Sequence, residues 1–256
     1  MKKVLVQKID ELTDLQLSYL QKELFLEVTD TAPINESPYF IFDDQLRLFV
    51  DNLDHIKPLT LDFLSEKFKS IIKTGIKNKN PLFKALGISS KKSVFVLDAM
   101  AGLGKDGILM AAGGAKVLSW EVSEWVYPLL LDARRRLIEG KTSILKRNDL
   151  WELKQGDSFE FYKKNSDQIK KFDVVYLDPM YPQKKKTALS QSGMQFLQQV
   201  GYNCPSRALE YAQWVRSRNV KLVVKRPRQA EPIIEPTSRF VESKMVRYDI
   251  YDPKIL

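Results

Sequence analysis

The chain of 256 residues has one cysteine, Cys204, and one histidine, His55. A lone thiol cannot build a disulfide framework, and neither it nor a lone imidazole can assemble a zinc site. The sequence therefore predicts a reducing compartment, no metal, and no catalytic part for His55, which lies far from the motifs below. Long apolar runs are missing as well. No stretch approaches the roughly 18 to 20 apolar residues that cross a bilayer. Asp10, Glu11 and Asp14 interrupt the region where a signal peptide would need its apolar core. A soluble, cytoplasmic protein without a membrane partner is the expectation. Internal repeats and low-complexity tracts are lacking too.

Positive charge is plentiful. Lys and Arg number 41 against 32 Asp and Glu, a formal net charge of +9, which concentrates polyanions and favours a nucleic-acid partner. With 44% hydrophobic and 11% aromatic residues, the chain can bury one full core and a small appended unit.

Residues 1–57 carry short apolar runs at 24–26, 39–42 and 46–50, separated by the turn-rich stretch 29–33 and by Asp43-Asp44, the pattern of a small strand-rich unit. Leu61, Leu64, Phe68, Ile71 and Ile72 recur at helical spacing among Lys67, Lys69 and Lys73, predicting an amphipathic helix over 59–72. A second helix over 81–86 ends at Gly87, and 58–92 form a helical connector. Beyond residue 92, strands (94–98, 116–121, 151–155, 172–177, 220–225) alternate with helices (after the glycine turn, 126–139, a short one after 155, from about 188, and 207–216). The segments 239–242 and 245–251 are spaced to pair as a hairpin. This alternation predicts an α/β, Rossmann-like domain over 93–256, with a mostly parallel sheet and a C-terminal antiparallel hairpin. Arg134-Arg135-Arg136 reads as solvated helix surface.

Strand 94–98 runs into Asp98-Ala99-Met100-Ala101-Gly102-Leu103-Gly104-Lys105-Asp106. Glycines let the backbone pass close to a ligand before a helix begins. The third glycine of a dinucleotide turn is absent. The Asp98 carboxylate would repel a diphosphate but suits a ligand bearing an ammonium and a sulfonium, as S-adenosylmethionine does. Glu121 ends the second strand, where it can accept both ribose hydroxyls. Gly156-Asp157-Ser158 follows the third, where an acceptor can take an adenine amino group. Plainer readings exist: a tight turn for Gly102 and Gly104, a surface acid for Glu121, an N-cap for Asp157. Their arrival at three successive strand ends favours a nucleoside cofactor.

The apolar strand before Asp178-Pro179-Met180-Tyr181 delivers a variant of the (Asn/Asp/Ser)-Pro-Pro-(Tyr/Phe) signature of methyltransferases that act on exocyclic amines. Such an amine has its lone pair spread into the ring and is a poor nucleophile until its N–H groups are gripped. Asp178 and the Pro179 carbonyl can accept those hydrogens, and Tyr181 can stack on the base. The plainer reading is a common Asp-Pro turn with Tyr181 packed on the core. Lys184-Lys185-Lys186 and Lys225-Arg226 would lie at the carboxyl edge of the sheet, where they are expected to contact phosphates.

Four separated motifs, over residues 98–106, 174–182, 223–227 and 247–251, agree in order with one family. The sequence resembles the ribosomal RNA small-subunit methyltransferase J family over roughly residues 80–251. That resemblance implies S-adenosylmethionine-dependent methylation of guanosine N2 in small-subunit (16S) ribosomal RNA, with that RNA or the 30S particle as partner. By position it implies cofactor contacts from Lys105 and Asp106, Glu121 and Val122, Asp157 and Ser158, and Asp178. Met100 stands where the family usually has threonine, and Asp157 where it often has serine, so the adenine contacts differ in detail; residues 1–57 match poorly. Two other readings remain: methylation of another amine, such as adenine N6 in RNA or DNA, and a noncatalytic RNA-binding assembly factor. An NAD-dependent oxidoreductase is disfavoured by the missing glycine.

Overall fold

The computed structural model describes residues 2–6, 12–31, 37–50, 57–77, 80–89, 92–140, 143–179, 196–197, 205–235 and 237–254. Met180, Tyr181, Lys184, Lys185, Lys186 and the helix expected from about 188 therefore lie outside the described residues, apart from the helical pair Phe196 and Leu197.

Alternating burial builds the first sheet. β1 (Lys2–Val6) buries Val4 and Val6, β3 (Tyr39–Phe42) buries Phe40 and Phe42, and β4 (Leu46–Phe49) buries Leu46 and Leu48, the period of two that a strand with one covered face requires. With β2 (Leu26–Thr29) the order is β2-β1-β3-β4. β1 lies parallel to both neighbours, and β3 and β4 form an antiparallel pair. β1 has no counterpart in the sequence expectations, because three apolar residues after two lysines carry little signal alone. Helix α1 (Asp14–Ser18) starts at a capping box between Thr13 and Gln16.

The expected helix over 59–72 is corrected at its start: α2 spans Glu66–Lys77. Leu59 is bridged to Leu48 by backbone hydrogen bonds of 2.9 and 2.8 Å. Leu59, Leu61 and Phe63 are buried at every second position, so this stretch is extended rather than helical and meets the sheet at Leu59, and the Asp62 carboxylate then accepts the N–H groups of Leu64 and Ser65. Helix α3 (Pro81–Leu86) is capped by Asn80 and stopped by Gly87 in the left-handed region at φ 84°.

The second sheet has the order β10-β11-β9-β8-β5-β6-β7. β5 (Phe95–Asp98), β6 (Lys116–Glu121), β7 (Trp151–Gln155), β8 (Val174–Leu177) and β9 (Leu222–Pro227) run parallel. β10 (Arg239–Glu242) and β11 (Val246–Tyr251) close the edge as an antiparallel hairpin. All of β8 is buried, as expected of a parallel strand covered on both faces. One face carries α4 (Lys105–Ala112) and α5 (Val126–Glu139), whose apolar cluster continues to the first sheet. The other carries α6 (Ser158–Lys164) and α7 (Pro205–Ser217). From β5 the chain builds outward through β6 to β7, then returns to the opposite side of β5 as β8. The carboxyl ends of β5 and β8 thus flank a topological switch point, where open α/β sheets form their ligand crevice. No described helix is long and apolar enough to cross a membrane.

The arginine triplet is not solvated surface. Asp132 on α5 is wholly buried and accepts the Leu46 N–H at 3.0 Å, Arg135 at 3.0 Å and Arg136 at 2.8 Å. Arg136 also donates to the Leu61 carbonyl at 2.5 Å, and Arg134 to the Trp151 carbonyl at 2.7 Å. Spacings of three and four put Arg135 and Arg136 beside Asp132 on the helix, and with it they clamp the first sheet to α5, while Arg134 ties α5 to β7.

Candidate active site

The turn between β5 and α4 uses its glycines differently. At Gly104, φ is 71°, and an added Cβ would stand 2.5 Å from Leu130 and 3.1 Å from Trp151, so packing and backbone alike demand glycine. At Gly102, φ is 52° and, among the described residues, an added Cβ would meet only Leu197, at 3.9 Å. Of the two glycines, Gly102 is the one beside which the described residues leave space for a ligand to approach. The turn is tied down by the Ala99 N–H to the Tyr176 carbonyl (3.0 Å), the Ala101 N–H to the Trp120 carbonyl (2.9 Å) and the Ser158 hydroxyl to the Ala99 carbonyl (3.0 Å).

Two carboxyl groups end the adjacent strands. Asp98 closes β5 and accepts the Ser119 hydroxyl at 2.7 Å, while Ser119 accepts the Trp151 indole N–H at 3.0 Å. Helix α4 passes directly over this chain, since a Cβ at Gly107 would come within 2.9 Å of Asp98 Oδ2. Burial pushes the Asp98 carboxyl up to about 7; the Ser119 hydroxyl works against that, and the carboxylates of Asp106, Asp178 and Glu121 add to it. Glu121 closes β6 and accepts the Gly102 N–H and the Ser123 N–H, each at 2.7 Å, through different oxygens. Burial pushes it up to about 7 as well, against the pull of those N–H groups and that of Val122. Each Glu121 oxygen keeps a lone pair for a further donor. Val122 beside it is 38% exposed, an apolar side chain open at the sheet edge.

Asp157 fills the role of N-cap. Its Oδ1 accepts the Glu160 N–H at 3.1 Å and its Oδ2 accepts Arg207 at 2.8 Å. Ser158 is buried and spends its hydroxyl on the turn. Lys105 is exposed in the first turn of α4.

The end of β8 holds the densest charge. Lys225, expected to meet phosphate, instead has its ammonium 2.7 Å from Asp106 Oδ2 and 2.9 Å from Asp178 Oδ2. The sequence pattern hides this, because β9 must lie beside β8 before Lys225 can reach either acid. Tyr176, a residue the sequence reading passed over, is wholly buried and donates its hydroxyl to the same Asp106 oxygen at 2.6 Å. A tyrosine in an otherwise aliphatic strand was the available signal. Burial alone would lower Lys225, but Asp178 and Asp106 outweigh it and hold the ammonium well above the usual lysine range. Withdrawal from water raises Asp178; Lys225 opposes this and Asp106 reinforces it. Arg226 bonds the Glu231 carbonyl.

A parallel sheet with a terminal antiparallel hairpin, whose strand ends carry acids in place of a phosphate-binding glycine triplet, defines the S-adenosylmethionine-dependent methyltransferase class. The pattern of the SAM-dependent methyltransferase family matches residues 21–253. The ribosomal RNA small subunit methyltransferase J of Francisella tularensis subsp. holarctica is 34% identical over 218 residues, covering 83% of this chain and 86% of the relative. That of Alteromonas mediterranea is 32% identical over 197 residues, covering 77% and 74%. The chain belongs to the ribosomal RNA small subunit methyltransferase J family. Among solved structures, a SAM-dependent methyltransferase of Neisseria gonorrhoeae shares the fold, with a TM-score of 0.73 at 24% identity over 98% of this chain and 96% of that one.

Proposed function

We propose that this methyltransferase acts on the exocyclic N2 amine of a guanosine in small-subunit ribosomal RNA. The observation that carries the reading is Asp178 at the carboxyl end of β8, on the switch point, with Lys225 holding one of its oxygens. The name of the curated relatives supports the RNA class.

The residues fit the cofactor. Glu121 is buried, raised, and has a lone pair on each oxygen, a pair of acceptors for two ribose hydroxyls. Gly102 leaves the approach open and Val122 offers an apolar edge to a purine. Asp98 acts on a cationic ligand through its field, since α4 covers its carboxyl. Lys105, Asp106, Gly104, Asp157 and Ser158 shape the surrounding turns. S-adenosylmethionine, when bound, supplies a methyl on a sulfonium, and its transfer forms one N–C bond as one C–S bond breaks. Asp178 and the Pro179 carbonyl grip the two N–H groups of the amine, and Tyr181 stacks on the base. Alignment supplies most of the acceleration. Lys184, Lys185, Lys186 and Arg226 hold the RNA backbone.

The test is incubation of small ribosomal subunits that lack the methyl group with the protein and labelled cofactor, followed by nucleoside mapping. Label in N2-methylguanosine is expected. Label in N6-methyladenosine would replace the reading with its adenine alternative, and no label in any RNA would favour a noncatalytic assembly factor.

Cofactor affinity should depend on pH. Hydroxyl donors favour the ionised form of Glu121, whose carboxyl stands at about 7 before binding. Affinity for S-adenosylhomocysteine is therefore expected to improve from pH 6 to 8, by at most about tenfold per pH unit, with proton release. For the free protein the sign is reversed: the raised carboxyls of Asp98 and Glu121 favour the fold below the ordinary carboxylate range, and that contribution is lost as pH rises through about 7. Calorimetry across that range checks both, and an affinity that does not change with pH would remove Glu121 from the ribose site.

A further inference from the structure

Three segments distant in sequence meet at one ammonium. Lys225 comes from β9, Asp106 from the first turn of α4 and Asp178 from the end of β8, and Tyr176 fixes Asp106 from below. Tyr248 of β11 stands opposite Lys225 in the sheet register. Among the described residues, the charged and titratable groups around Asp178 are thus Lys225, Asp106, Tyr176, Tyr248 and, from β5, Asp98. Lys225 is the cation in that set.

We propose that Lys225 is a positioning residue for methyl transfer: its ammonium holds Asp178 Oδ2 and keeps the carboxylate ionised, so that Oδ1 accepts an N–H of the substrate amine. The proposal rests on the amine-methylation reading above. The geometry makes the case, because a carboxylate has two oxygens and the lysine contact at 2.9 Å takes one of them. The second contact, to Asp106 at 2.7 Å, anchors the ammonium on a helix that does not carry Asp178. In the reaction the amine lone pair forms the N–C bond, the C–S pair leaves with sulfur, and the proton shed by nitrogen passes to Asp178 Oδ1 and on to water. Asp178 must start ionised. Without the ammonium, Asp106 and Asp178 would be like charges side by side, a pair that takes up a shared proton. A protonated Asp178 would present an O–H where the amine needs an acceptor.

The variants are Lys225→Met and Lys225→Arg, measured for methyl transfer to small subunits from pH 6 to 9.5. In Lys225→Met the acid limb of the kcat profile is expected to move up by about one pH unit or more, so that kcat falls about threefold or more at pH 6.5 and recovers by pH 9. KM for RNA should change less than about threefold, and Lys225→Arg should restore the limb. A loss equal at every pH, or a raised KM with an unmoved limb, overturns the proposal in favour of packing or phosphate contact. If the wild-type protein methylates no RNA, the functional reading fails by itself. The lysine's role is then decided by carbon-13 NMR titration of the Asp178 carboxyl with S-adenosylhomocysteine present. An upward shift in Lys225→Met supports it and an unchanged titration overturns it.

Discussion

Asp178→Asn is expected to slow methyl transfer by about 10² to 10⁴-fold, with cofactor affinity lowered far less. The amide keeps the shape of the side chain, but it cannot take up a proton and presents only one acceptor oxygen. That oxygen is claimed by Lys225, which in the native protein lies 2.9 Å from Asp178 Oδ2, so the amine faces an NH2 in place of an oxygen. The fold should survive, because Asp178 follows the last residue of β8 and its side chain is 36% exposed. Single-turnover transfer measured beside thermal unfolding separates the two effects. Retention of more than about a tenth of wild-type kcat would show that the amine is gripped elsewhere.

Asp132→Ala carries the largest expected effect on stability, a loss of about 3 to 5 kcal/mol. The carboxylate is wholly buried and holds three donors: the Leu46 N–H and the guanidinium groups of Arg135 and Arg136. Removing it leaves a buried strand N–H without its acceptor and takes from Arg135 and Arg136 the buried carboxylate between them, which costs far more than the group contributes over an apolar replacement. Glu139→Ala is the control. Its ion pair with Arg135 lies on the surface, with the Glu139 side chain 59% exposed, and exposed pairs contribute roughly 0 to 1 kcal/mol. Denaturant unfolding compares the two. A loss below about 1 kcal/mol for Asp132→Ala would mean that the clamp between the first sheet and α5 relaxes onto other partners.

Much of the second sheet can be read from consecutive residues. β6, α5, β7 and β10 fall at the expected bounds, because each is an apolar pattern of one period closed by glycine or charge. The placement of Asp98, Glu121 and Asp178 at strand ends was legible in the same way. Leu59, Leu61 and Phe63 were not: residues spaced by two up to Phe63 and by three or four from Leu64 onward fit either period, and the pairing of Leu59 with Leu48 decides between them.

By itself the sequence determined the strand-helix alternation, the acids at the strand ends and the surplus of positive charge, since each is a property of neighbours along the chain. Only the tertiary structure decided which charges are spent on one another. Lys225 lies 119 residues from Asp106 and 47 from Asp178, and Asp132 lies 86 from Leu46. Strand order and helix packing bring such groups within 3 Å. A lysine that reads as a phosphate contact in one dimension is thereby half-buried and bound to two acids.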